Sequence, residues 1–284
     1  MKYREPLKGL SPWQDDRGTQ WNDDPSPTAG GLPLPPVRWH DDPLLPQGVR
    51  NEMPAPPPSD PPPPPWNSGD VAKGVGIVIL VALLGLLIGS AVTATTDANR
   101  SFLGLGITTV LELSLVAVAW RFAVKRYGCS WSALGLRPLR FEDARWAIPA
   151  GILISLTVAM VYAGILTGLG LDDEVRSPSI FDEPGTVVLI VGSIMAVAVA
   201  PVVEELFFRG FIFSGLLSRL TVKQAAIGSA ALFALAHIHP LSYAPIFIIG
   251  LVLAWVYRTT GSLANAMLVH ASYNGVIVGI SFAV

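Results

Sequence analysis

The chain of 284 residues is 51% hydrophobic and only 14% charged, with a mean hydropathy of +0.51, which is too apolar for an ordinary soluble domain. A formal net charge of -2 with no concentrated basic face argues against nucleic acid as a partner. The single cysteine, Cys129, excludes an intramolecular disulfide and any multi-cysteine metal centre, and reads as an inert small residue.

Residues 1–73 hold 18 of the 25 prolines, including PAPPPSDPPPPP at 54–65, and show no helical apolar period. Such a segment cannot bury enough surface to fold, so it is expected to be a disordered tail whose proline run forms an extended spacer. Within it WQDD at Trp13, WNDDP at Trp21 and WHDDP at Trp39 repeat a tryptophan, a variable residue and two aspartates. An indole flanked by carboxylates suits a partner groove with an apolar pocket and a basic rim, against a plain reading of compositional drift.

From Gly74 onward the chain is a succession of apolar runs, each long enough for the ~20 helical residues that cross a hydrocarbon layer. Runs such as GIVILVALLGLLIG lack the alternation of a membrane barrel, so 74–284 is expected to be an all-α, polytopic transmembrane helix bundle. The runs fall near 74–95, 103–124, 146–170, 184–200, 201–220, 223–239, 244–258 and 262–282. Proline disfavours helical geometry in the residue before it, so a break at Pro201 is expected, giving about eight spans; a continuous helix there would give seven. The break also brings Glu204 and His237 to one depth at ~1.5 Å of rise per residue. Residues 125–145 carry Lys125, Arg126, Arg137, Arg140 and Arg145, whereas 171–183 carries five acids and one arginine. The positive-inside rule then makes the first loop, and with it the N-terminal tail, cytoplasmic.

Inside this apolar body stand Glu204, Glu205, Arg209, His237, His270 and Asn274, each of which needs a partner or water in lipid. Glu205 and Arg209 are i,i+4 neighbours able to pair, while Glu204 points about 100° away and is left for chemistry. His270 and Asn274 also share one helical face. Glu112, in TTVLELSLV, and Arg121 take a structural or snorkelling reading, and His239 beside Pro240 an interfacial one. A carboxylate in an apolar site can act as general base on water with a histidine sharing the proton, roles that suit Glu204 and His237. An imidazole and an amide one turn apart, His270 and Asn274, can hold the oxyanion that forms when a carbonyl is attacked. No nucleophile elbow and no H-E-x-x-H are present, which points to water as the attacker. Alternatively Glu204, His237 and His270 could ligate a divalent metal such as zinc, with Glu205 behind them.

The motifs E-E-x-x-x-R (Glu204, Glu205, Arg209), F-x-x-x-H (Phe233, His237) and H-x-x-x-N (His270, Asn274) stand in an order that resembles the CAAX prenyl endopeptidase and bacteriocin-processing family of intramembrane proteases. That family includes the type II CAAX protease and lysostaphin-resistance proteins. LGLRP at Leu134–Pro138 resembles the stretch preceding the family's conserved region, so the likeness runs over 134–284. The resemblance implies that Glu204 and His237 activate water, that His270 and Asn274 bind the oxyanion, and that Glu205 and Arg209 shape the site. The expected activity is hydrolysis of a peptide bond in a membrane-associated peptide or protein. Fourteen arginines against five lysines hint at a bacterial plasma membrane, where a prenylated substrate is less expected. Two rivals stand beside it: a proton-coupled transporter in which the same residues form a Glu/His relay, and a non-catalytic scaffold or immunity protein of the same fold working through its tail.

Overall fold

In a computed structural model of the chain, the described residues are 64–95, 99–171, 186–237 and 240–282. The chain divides into two units, Met1–Asp60 and Pro61–Val284, and the described residues all belong to the second. The W-x-D-D repeats therefore lie outside the described residues. Among the described residues there are seven apolar helices: α1 Ser68–Thr95, α2 Arg100–Lys125, α3 Phe141–Leu169, α4 Thr186–Leu216, α5 Val222–Leu235, α6 Tyr243–Thr260 and α7 Leu263–Ser281. All but α5 are long and apolar enough to cross a membrane, and among the described residues there is no strand. Large apolar side chains such as Leu87, Leu113 and Met160 point outward, as expected where the surrounding solvent is lipid.

Local signals account for the ends of these helices. Asn99 caps α2, its side chain accepting from the amides of Ser101 and Phe102. Thr221 and Gln224 form a reciprocal capping box at the start of α5. Gly170 and Gly261 close α3 and α6 with positive φ, a conformation that costs other residues strain. The first helix starts at Ser68, ahead of the expected Gly74, and Trp66 before it is fully buried, so the bundle takes in residues expected to belong to the tail.

The break expected at Pro201 is absent: α4 runs through as a single helix of 31 residues, which corrects the eight-span arrangement to seven helices. Its path shows how the proline is accommodated. The helix widens to π geometry over Met195–Val199, returns to α over Ala200–Glu205, and widens again over Leu206–Phe213. In the first π turn the Ala200 amide bonds to Met195 O, so the next carbonyl, that of Ala196, faces Pro201, which has no N–H to donate. Asn274 Nδ2 donates to Ala196 O instead, at 2.8 Å. The missing donor is thus replaced by a side chain from α7, not by a chain break. Carbonyls of the second π segment are met in the same way, Phe208 O by Ser229 Oγ at 2.7 Å and Phe211 O by Trp66 Nε1 at 2.9 Å.

α4 is the centre of the bundle, with every residue from Leu206 to Phe213 buried. Phe207, Phe208, Phe211 and Ile212 pack with Phe233 of α5, Ile249 and Leu253 of α6, and Leu263 and Val269 of α7. Two glycines set the helix spacing. A Cβ at Gly151 of α3 would lie 2.4 Å from Val269 O, an approach only glycine allows, and one at Gly250 of α6 would lie a tight 3.1 Å from Ala230 Cα. Between α2 and α3, Leu134 of the LGLRP segment is buried, and its carbonyl accepts from Tyr257 Oη at 3.0 Å. At the start of α1, buried Asp70 accepts from Tyr127 Oη at 2.6 Å and lies 3.6 Å from Arg126 Nε. The hydrogen bond to Asp70 holds the Tyr127 phenol above its usual pKa.

Candidate active site

Glu204 and Glu205 stand at the end of the short α segment of α4, between the two π segments, and Arg209 stands in the second. π turns inside a helix concentrate at functional positions because they widen the spacing of side chains and free carbonyls for other donors. Glu205 and Arg209 are fully buried and bonded, Oε1 to Nη1 at 2.8 Å, as their i,i+4 spacing predicts. Arg209 also donates from Nη2 to Gly250 O at 3.0 Å, and its guanidinium lies 4.5 Å above the Phe233 ring. Ion pairing, a backbone acceptor and a π face together compensate a charge taken wholly out of water.

The same Oε1 of Glu205 accepts a second bond, from His270 Nδ1 at 2.9 Å. A carboxylate bonded to arginine can only accept, so the proton of the neutral imidazole resides on Nδ1 and Nε2 is left with its lone pair. That Nε2 lies 3.6 Å from Glu204 Oε2. Arg209, Glu205, His270 and Glu204 therefore form one chain of contacts from a sealed interior to a group with access. Glu205 is 0% exposed, whereas the Glu204 side chain keeps 15% of its surface.

His237 follows α5, which at 14 residues rises only ~21 Å and stops short of a ~30 Å hydrocarbon layer. A short α5 delivers its C-terminal end to the interior without any break in α4. Phe233 there is the hub: its ring contacts His237 at 4.9 Å, His270 at 5.5 Å and Phe208 at 5.1 Å, centroid to centroid. His237 Nδ1 donates to Phe233 O at 2.9 Å, which leaves Nε2 as the ring's open nitrogen.

Four of the six residues singled out by their polarity are thus joined in one contact chain, while Asn274 meets α4 at Ala196 and His237 stands beside Phe233. The imidazole beside Glu204 is that of His270, and His237 reaches the cluster by way of Phe233. Asn274 has one amide N–H committed to Ala196 O. Among the described residues no three His, Cys, Asp or Glu side chains are gathered so as to hold a metal ion, so the set Glu204, His237 and His270 is not assembled as a ligand triad here. Sequence reasoning missed Phe233 as the shared wall of the site and Gly250 as the carbonyl partner of Arg209. The F-x-x-x-H spacing contained the first of these, since i,i+4 residues share a helical face.

An all-helical bundle of membrane-spanning length, with a buried Glu–Arg pair on its central helix joined to a histidine of α7 and one carboxylate left accessible, defines a polytopic membrane protein with a polar intramembrane cluster. Residues 186–276 match the family described as Type II CAAX prenyl endopeptidase Rce1-like, and all six candidate residues fall within that match. The match leaves α1 to α3 and the LGLRP segment outside. Comparison with curated proteins and with solved structures found no match.

Proposed function

We propose that this protein is an intramembrane endopeptidase that hydrolyses a peptide bond of a membrane-associated protein or peptide, using water activated by Glu204. The observation that carries the reading is the contact chain Arg209–Glu205–His270–Glu204, in which the one accessible carboxylate faces a histidine of defined tautomer. The water oxygen bonds to the scissile carbonyl carbon as its proton passes to Glu204. The carbon–nitrogen bond then breaks, and the same proton goes to the departing amine. His270 Nε2, beside Glu204, takes a share of the proton between the two steps, while Glu205 keeps the ring oriented. The developing oxyanion is met by the second amide N–H of Asn274, a side chain held near the site by Ala196 O.

Seven helices put Arg219, Lys223 and Arg258 at the same end of the bundle as the basic 125–145 segment, which favours that end, and the N-terminus, as cytoplasmic. The arginine-rich composition favours a bacterial plasma membrane. The test uses full-length protein in detergent with a defined library of lipid-anchored peptides, prenylated and unprenylated, and mass spectrometry of the products. Cleavage by wild type that disappears in Glu204→Gln, with unfolding temperature retained, supports the mechanism; equal cleavage by both proteins overturns it. Preference within the library decides whether a prenyl group is part of the substrate.

A further inference from the structure

Glu112 lies outside the matched region, and the mechanism above leaves it without a task. It sits in the middle of α2 on the buried face it shares with Leu115 and Ala119, at i, i+3 and i+7, and is only 8% exposed. A snorkelling role is therefore excluded, since snorkelling needs the head group at the surface. Among the described residues no cation pairs with it, and its Oε2 is buried without a hydrogen-bond partner. Leaving a carboxyl oxygen unbonded in an apolar interior is costly, and such exceptions tend to mark ligand or water positions. α2 packs against both the Ala200–Glu205 segment of α4, which carries Glu204, and the Leu206–Phe213 segment.

We propose that Glu112 is a further positioning residue of the hydrolytic site, whose free oxygen holds the attacking water against Glu204. The water then donates one O–H to Glu204, which removes that proton, and its other O–H to Glu112 Oε2, which accepts the bond without taking the proton. Two acceptors fix both O–H directions and with them the two lone pairs, one of which attacks the carbonyl carbon. A single acceptor leaves the water free to rotate.

This inference rests on the hydrolase reading, and its test is built to fail separately. Using the best-cleaved peptide of the library, wild type, Glu112→Leu, Glu112→Gln and Glu204→Gln are compared for kcat, KM and unfolding temperature in detergent. Glu112→Leu is expected to lower kcat by about 10- to 100-fold, as for a misplaced reactant, with KM within about twofold. Its unfolding temperature should hold or rise, because leucine replaces a buried unpaired carboxyl. Glu112→Gln keeps an oxygen acceptor and should recover most of kcat. Full activity in Glu112→Leu overturns the inference while leaving the hydrolase reading intact, provided Glu204→Gln is inactive. Equal losses in both Glu112 variants, with or without lowered stability, also overturn it, because the acceptor oxygen would then not be what matters. Wild-type activity in Glu204→Gln removes the hydrolase reading itself.

Discussion

Gly151→Ala is a substitution remote from the reacting groups that should nonetheless disable them. The added Cβ would lie 2.4 Å from Val269 O and 2.7 Å from Ser272 Cβ, both on α7. An ordinary carbon-to-oxygen contact is no shorter than about 3.3 Å, so α7 must retreat from α3 by roughly 1 Å. Backbone is what the methyl meets, and no rotamer change can relieve it. Val269 precedes His270, whose Nδ1 is 2.9 Å from Glu205 and whose Nε2 is 3.6 Å from Glu204, so the retreat loosens both contacts. A displacement of this size typically costs about 100-fold in rate, and overpacking of a well-packed contact about 1–3 kcal/mol of stability. The assay is kcat on the best-cleaved library peptide together with thermal unfolding in detergent. Gly164→Ala and Gly168→Ala on the same helix are the controls, since a Cβ at either meets nothing within 4 Å. They should be neutral or slightly stabilising through helix propensity. If Gly151→Ala keeps the activity and unfolding temperature of these controls, the close approach of α3 and α7 does not set the position of His270.

Arg209→Met should strand Glu205 as a buried uncompensated carboxylate and cost about 3–5 kcal/mol, seen as a large drop in unfolding temperature. Trp66→Phe keeps the ring but removes the N–H given to Phe211 O, which retains the Ser214 amide as a donor, so the loss should cost about 0.5–1.5 kcal/mol by the same measurement. Tyr127 has its phenol pKa raised by the bond to Asp70, so the stability from that bond is fully present below the ordinary tyrosine value of about 10 and is lost as pH rises through the raised value. Tyr127→Phe should therefore remove stability at neutral pH and flatten the alkaline arm of the unfolding profile relative to wild type.

Composition and run length were sufficient for the membrane bundle, because lipid leaves an apolar chain no option but to satisfy its backbone within helices. The six candidate residues stood out for the converse reason: a polar or charged side chain in an apolar run needs compensation wherever the fold puts it. The Glu205–Arg209 bond followed from helical spacing alone and is present. Helix count and partner choice did not follow. Pro201 reads locally as a break, and only the distant Asn274, donating to Ala196 O, makes a continuous α4 tolerable. His237 seemed to require that break in order to reach Glu204, yet a short α5 brings it to the cluster, and His270, 66 positions beyond Glu204 in the sequence, takes the place beside the carboxylate. Glu112 looked structural from its surroundings in α2, and its helix meets the segment that carries Glu204 only through the packing of α2 on α4. Local sequence determines which groups must find partners, because desolvation is a property of each group. Which partners they find is decided by helix packing, a long-range outcome that glycines such as Gly151 and Gly250 set through contacts far apart in the chain.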